Sequence, residues 1–184
     1  MRTRLPIAPA LAAAALLAGS TTAATAATSC ANADLLPTTA NLAKVRTATF
    51  CLLNAERTRR GLPKLARNAK LEAAGNDFAR EMVKRKFFDH VSPSGSDPTK
   101  RIKATGYVDG TRSWSIGENI AWGNGPLATA RQTVKGWMHS PGHKANILSR
   151  DFKEIGIGIA AGAPRRGTAR AATYCTDFGK RIKA

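Results

Sequence analysis

The chain reads as an α+β protein in which helices pack on a small antiparallel sheet. Three features predict this. Through the first two-thirds of the sequence apolar residues recur at three- and four-residue steps, the period of a helix with one buried face. Ile155, Ile157 and Ile159 then alternate with glycine, and Ala171 to Phe178 follows as a second strand-like run, so that the chain closes on a hairpin. Helices segregated from strands in this order argue α+β.

Residues 1–27 read as a signal peptide. A basic start at Arg2 and Arg4 leads into an apolar run from Leu5 to Ala18, and a small-residue exit ends near Ala27. The run is too short to span a bilayer, and no later segment is long and apolar enough to do so. Cleavage after Ala27 leaves 157 of the 184 residues, enough for one domain with its own core. Residues 28–40 form an N-terminal extension, and residues 41–184 form the folded domain.

Within that domain Asn41 to Arg60 is predicted helical, with Leu42, Val45, Thr49, Leu52, Leu53 and Glu56 at helical steps and Gly61 as the stop. Asn68 caps a second helix whose stripe is Leu71, Ala74, Phe78 and Met82, with Gly75 beside it for close packing. Phe87 to Gly95 is an aromatic-rich turn. Asp97-Pro98 suits the cap and first position of a short helix ending at Gly106. Tyr107 to Gly125 shows many glycines and no clean period, so no regular structure is assigned there. Pro126 opens the next helix, which ends at Ser140-Pro141. There Ser140 is expected to cap a new helix running to Leu148. Gly162 to Arg170 is the basic turn between the two closing strands.

The formal charge is +17, and losing Arg2 and Arg4 with the signal takes it to +15. Such a chain favours anionic surfaces: acidic cell-wall polymers, phospholipid headgroups and nucleic acid. The basic residues are scattered, few aromatics interleave with them, and no nucleic-acid-binding motif is present, so sequence-specific nucleic-acid recognition is not expected. Of the three cysteines, Cys30 and Cys51 are the candidate disulfide of an exported protein, although connectivity stays open. Cys175 is then an odd thiol in a strand, expected to be buried.

Two of the three histidines lie in Trp137-Met138-His139-Ser140-Pro141-Gly142-His143. A four-residue spacing on one helix would mimic an H-E-x-x-H zinc motif. Here Pro141 breaks the helix and Ser140 stands where that motif needs glutamate, so the rings should diverge and His139 is expected at the surface. Nucleophile motifs are missing: Ser113 and Ser115 lack the flanking glycines of a G-x-S-x-G elbow.

Six segments, in order, resemble one family: Asn54-Ala55-Glu56-Arg57, Phe88-Asp89-His90-Val91-Ser92-Pro93, Gly117-Glu118-Asn119-Ile120-Ala121, Trp137 through Leu148, Ile155-Gly156-Ile157-Gly158-Ile159 and Tyr174-Cys175-Thr176-Asp177-Phe178-Gly179. Together they are similar to the bacterial CAP superfamily (SCP-like extracellular domains; cysteine-rich secretory proteins, antigen 5 and pathogenesis-related proteins). The resemblance implies an α-β-α sandwich over residues 41–184, secreted or held at the cell envelope. It also implies a cleft formed by His90, Glu118 and His143. Eukaryotic members carry a second glutamate where Ser140 stands and a Gly-His-Tyr-Thr-Gln segment absent here.

Two neutral imidazoles, His90 and His143, are candidate ligands for zinc or another divalent metal, with Glu118 orienting a ring or acting as a base toward bound water. A hydrogen-bonded polar cleft that only preserves loop geometry is the plainer alternative. The expected function is a monomeric, non-enzymatic binding or cell-envelope module that meets an anionic envelope polymer or lipid. The alternative is a metal-dependent, peptidase-like hydrolase with Glu118 as its catalytic candidate.

Overall fold

The computed structural model describes residues 29–184; the signal peptide expected over residues 1–27 lies outside them. The chain runs α1 (Leu42–Thr58), β1 (Ala66–Arg67), α2 (Ala69–Arg85), α3 (Pro98–Ala104), β2 (Thr111–Asn124), a 3-10 turn (Gly125–Ala128), α4 (Ala130–His139), α5 (Pro141–Leu148), β3 (Glu154–Ala161) and β4 (Ala171–Lys183). The sheet order is β1-β3-β4-β2. Its three long strands are antiparallel, and the short β1 adds a parallel pairing at the far edge. Helix α2 covers one face; α1, α4 and α5 cover the other. This is the expected sandwich of helix layers around a small sheet.

The helix ends follow local chemistry. Asn68 Oδ1 accepts from the backbone N–H of Lys70 and Leu71, and Asp97 Oδ1 accepts from Lys100 N–H, each satisfying donors that the first turn leaves open. Pro126 starts the 3-10 turn rather than α4, and α4 is capped instead by Thr129, whose hydroxyl accepts from Gln132 N–H. Ser140 does terminate α4, but its side chain makes no capping bond to the backbone of α5.

Strand β3 shows why isoleucine and glycine alternate. Ile155, Ile157 and Ile159 are buried in the core shared with Val45, Leu53, Trp137, Tyr174 and Phe178. Gly156 and Gly158 face α2, and a Cβ on either would collide with the backbone at Leu71 or Gly75. Gly75 has its own Cβ position against the backbone of Cys175 and Gly158, so strand and helix meet glycine to glycine.

The stretch from Tyr107 to Gly125, without an assignable pattern in sequence, contains the longest strand. The middle of β2 is covered on both sides, at Glu118, Asn119 and Ile120. A strand with polar residues in its buried segment and glycine at 117 and 123 shows no apolar-polar alternation. Packing, not pattern, defines it: Trp137 Nε1–H donates to Ile120 O at 3.1 Å.

Residues 29–40 pack onto the domain. Cys30 and Ala33 belong to the main core, Asp34 makes a two-pronged pair with Arg131, and Cys30 is disulfide-bonded to Cys51 of α1. Cys175 is the free, buried thiol expected. Glu154, at the start of β3, accepts from Asn68 Nδ2, the Tyr107 hydroxyl and Arg181.

Two stability predictions follow from these contacts. Burial pushes the Glu154 carboxyl up, but hydrogen bonds from Arg181, Tyr107 and Asn68 outweigh it and hold the group below its ordinary 4.5. Its contribution is therefore present above about pH 4.5 and lost as pH falls through the lower folded value. Glu154→Gln should cost about 1–2 kcal/mol at pH 7 in urea unfolding, the gap to wild type closing below pH 4.5. Replacing both Cys30 and Cys51 by serine, which opens a loop of sequence separation 21, should lower stability by about 3 kcal/mol in the same assay.

Candidate functional site

The site is built around Glu118. Its side chain is 2% exposed and sits on the α2 side of β2, the outermost strand at that edge of the sheet. Oε1 meets His90 Nδ1 at 2.7 Å. Oε2 accepts from Arg101 Nη2 at 2.6 Å and from the Cys175 thiol at 3.3 Å. Arg101, from α3, lies with its guanidinium 3.3 Å over the Phe78 ring of α2, so one face stacks while one edge pairs with carboxylate. Its Nη1 donates to Ser96 O. Arg101 thereby ties down the loop that carries His90, which is braced further by Ser92 and Ser96 through backbone and hydroxyl bonds.

His143 arrives from the other layer. Its Nδ1 meets Ser140 Oγ at 2.8 Å, the role Ser140 takes instead of backbone capping. Its ring lies 6.4 Å from that of Trp137. Asn119 Nδ2–H donates to His143 O at 3.0 Å, and Asn146 Nδ2–H donates to Glu118 O and to Asn119 Oδ1. The α5 helix is therefore laced to the same stretch of β2 that carries Glu118. Buried Arg57 closes its far end, donating from Nη1 to Ile147 O and Ser149 O.

The two cleft rings differ in charge preference. The hydrogen bond that His90 Nδ1–H donates to Glu118 raises the His90 pKa above its ordinary value, against partial desolvation. Burial, and then the nearby charge of His90, lower that of His143. In each ring Nδ1 is engaged, and among the described residues neither Nε2 has a hydrogen-bond partner. A histidine fixed through Nδ1 by a carboxylate, with Nε2 left open, has the arrangement of a metal ligand held by its outer shell. His90 and His143 are thus the side chains with an open ring nitrogen to offer a divalent ion. Beside His143 runs a groove of about 400 Å³ lined by Phe88, Ile120, Trp122, Leu127 and Trp137.

His139 is exposed and bonds through Nδ1 to Lys135 O within α4, apart from the cleft, as the break at Pro141 predicts. Sequence reasoning placed His90, Glu118 and His143 but missed Arg101, Asn146 and Asp177. Asp177 is 1% exposed and stands opposite Glu118 in the β2–β4 register. Asn146, three residues after His143 on one helix face, carried a usable signal; Arg101 and Asp177 carried none without the register.

A profile of the cysteine-rich secretory protein family matches residues 50–176. Two Bacillus subtilis (strain 168) proteins are similar in sequence: the uncharacterized protein YkwD, 37% identical over 107 residues, and the uncharacterized membrane protein YlbC, 31% identical over 110. The matches cover 58% and 59% of this chain but only 39% and 29% of those proteins. Among solved structures, an outer surface protein from Borrelia burgdorferi superposes with TM-score 0.59 at 21% identity, covering 72% of this chain and 89% of that one. An extracellular SCP-domain protein from Bacillus anthracis gives 0.58 at 24%, covering 80% and 45%. These likenesses show a shared fold.

The Arg101–Glu118 pair makes a direct prediction. Both side chains are at least nine-tenths buried, so removing the cation strands a buried carboxylate. Arg101→Met should destabilise the protein by about 3–5 kcal/mol in chemical denaturation; a loss under about 1 kcal/mol would mean the pair is solvated.

Proposed function

The chain belongs to the cysteine-rich secretory protein (CAP) family, and on that premise we propose that it is an exported, non-enzymatic binding module of the cell envelope whose His90–His143 cleft takes a divalent metal ion or a small ligand. Export rests on the basic, apolar and small-residue segments ending near Ala27, and a disulfide between Cys30 and Cys51 fits an oxidising compartment. Among the described residues no helix is long and apolar enough to cross a membrane.

The observation that carries the binding reading is the state of Glu118. Both its oxygens are taken, by His90 on one side and by Arg101 and Cys175 on the other. A general base must reach the proton it removes, and this carboxylate is engaged and buried. What the cleft presents is the pair of imidazole Nε2 atoms, backed by an apolar groove. A bound metal would supply Lewis acidity there; the residues of this chain supply orientation, Glu118 through His90 and Ser140 through His143. The hydrolase reading asks Glu118 to serve as base and is correspondingly less supported. Anchoring to the envelope follows from charge, since +15 on a small domain favours anionic polymer or lipid surfaces.

Calorimetric titration of metal-free protein with zinc tests the cleft. We expect one equivalent bound by the wild type, with affinity at least tenfold lower in both His90→Ala and His143→Ala. Absence of saturable binding, or binding indifferent to both changes, removes the metal form of the proposal. Retention on anionic cell-wall preparations should be lost as salt is raised from 0.1 to about 1 M, where the screening length falls to about 3 Å. Salt-insensitive retention, or none, contradicts charge-driven anchoring.

A further inference from the structure

Two carboxyl groups and one guanidinium share the buried pocket under β2. Glu118 and Asp177 are direct cross-strand partners and therefore lie on one face of the sheet. A carboxyl oxygen from each, together with Cys175 Sγ, forms a cluster in which all three atoms lie within 4.8 Å of one another. The register sets the Asp177 and Glu118 carboxyl groups side by side in this cluster. Oδ2 of Asp177 lies against Gly75 of α2, where a Cβ would come within 3.3 Å of it, and Oδ1 has no donor among the described residues.

Among the groups buried inside the fold, with His90 half-exposed at the rim, the charge balance does not close with both acids ionised. Arg101 already pairs with Glu118, so an ionised Asp177 would be a second anion, 1% exposed, with no cation of its own and one oxygen without a hydrogen bond. Burying such a charge unpaired costs far more than protonating it. Two carboxyl groups so placed can hydrogen-bond to each other only through a proton on one of them, because ionised carboxylates only accept. The charged and titratable groups facing Asp177 are Glu118 from β2, Cys175 from its own strand and Arg101 from α3. With Cys175 as the thiol, a single proton on Asp177 makes the set neutral.

We propose that Asp177 stands in the folded protein as the neutral acid, donating its proton to Glu118, and that this bond is a positioning contact that keeps Glu118 Oε1 directed at His90 Nδ1. Three donors then hold the carboxylate from inside the fold: the Arg101 guanidinium, the Cys175 thiol and the Asp177 hydroxyl. His90 receives what remains. Burial and the adjacent Glu118 charge raise the Asp177 carboxyl well above its usual range, in the same direction. The role does not depend on what the cleft binds, so it can be tested on metal-free protein and stands apart from the zinc experiment.

The test combines infrared and NMR spectroscopy on wild type, Asp177→Asn and Asp177→Leu. Isotope-edited infrared difference spectra should show a protonated-carboxyl C=O band in the wild type at pH 7 that is missing in Asp177→Asn. The downfield resonance of the hydrogen-bonded His90 Nδ1 proton should persist in Asp177→Asn, whose amide still donates to Glu118. It should be lost in Asp177→Leu, which fills the space without a donor. No carboxyl band in the wild type would overturn the neutral acid. Loss of the His90 resonance in Asp177→Asn, or its persistence in a folded Asp177→Leu, would overturn the positioning role. Should Asp177→Leu fail to fold, the band and the asparagine variant decide the matter on their own.

Discussion

The carboxylate of Glu118 is the constraint from which the rest of the cleft follows. A charge buried to 2% exposure must be neutralised and hydrogen-bonded within the fold. The structure recruits one group from each neighbouring element to do so: Arg101 from α3, Cys175 from β4, His90 from the loop after α2, with Asp177 set beside them on β4. Because these groups come from separate stretches of chain, satisfying one carboxylate fixes the relative placement of a helix, two strands and a loop. The charge also makes α3 more than a connector. Stacking on Phe78 and pairing with Glu118 give that seven-residue helix its place against the sheet.

The opposite layer is placed by hydrogen bonds to amide groups and backbone carbonyls. Asn119 and Asn146 tie α5 to β2, and Arg57 meets the carbonyls at its end. Adjacent residues of one strand, Glu118 and Asn119, therefore govern opposite faces: the first orients His90, the second seats the helix carrying His143. Alternation of side chains along a strand makes this possible, and an edge position for β2 lets two rings approach from both sides. The glycines of β3 matter to the same geometry. They let α2 settle onto the sheet backbone, and α2 carries the Phe78 ring under Arg101.

Much of this was legible in the sequence where the determinants are local. Caps at Asn68 and Asp97, the break at Pro141 and the isoleucine-glycine alternation each act within a few residues, and each appears as read. β2 was not legible, because a strand whose buried stretch is Glu118-Asn119-Ile120 carries no apolar period. The motif segments located His90, Glu118 and His143 individually. What holds them was hidden: Arg101 is one of many basic residues, and Asp177 acquires meaning only when the β2–β4 register sets it opposite Glu118. Ser140 misled in an instructive way. Its position before proline suggested a backbone cap, whereas its hydroxyl serves the His143 ring.

If the buried charge is the organising constraint, removing it together with its cation should be far less harmful than removing the cation alone. The decisive measurement is a double-mutant cycle on unfolding free energy with Arg101→Met, Glu118→Gln and the combined variant. The account predicts that the combined variant is more stable than Arg101→Met, because no stranded carboxylate remains. A combined variant as unstable as the sum of the two single losses would contradict it and would mean that Glu118 and Arg101 act independently.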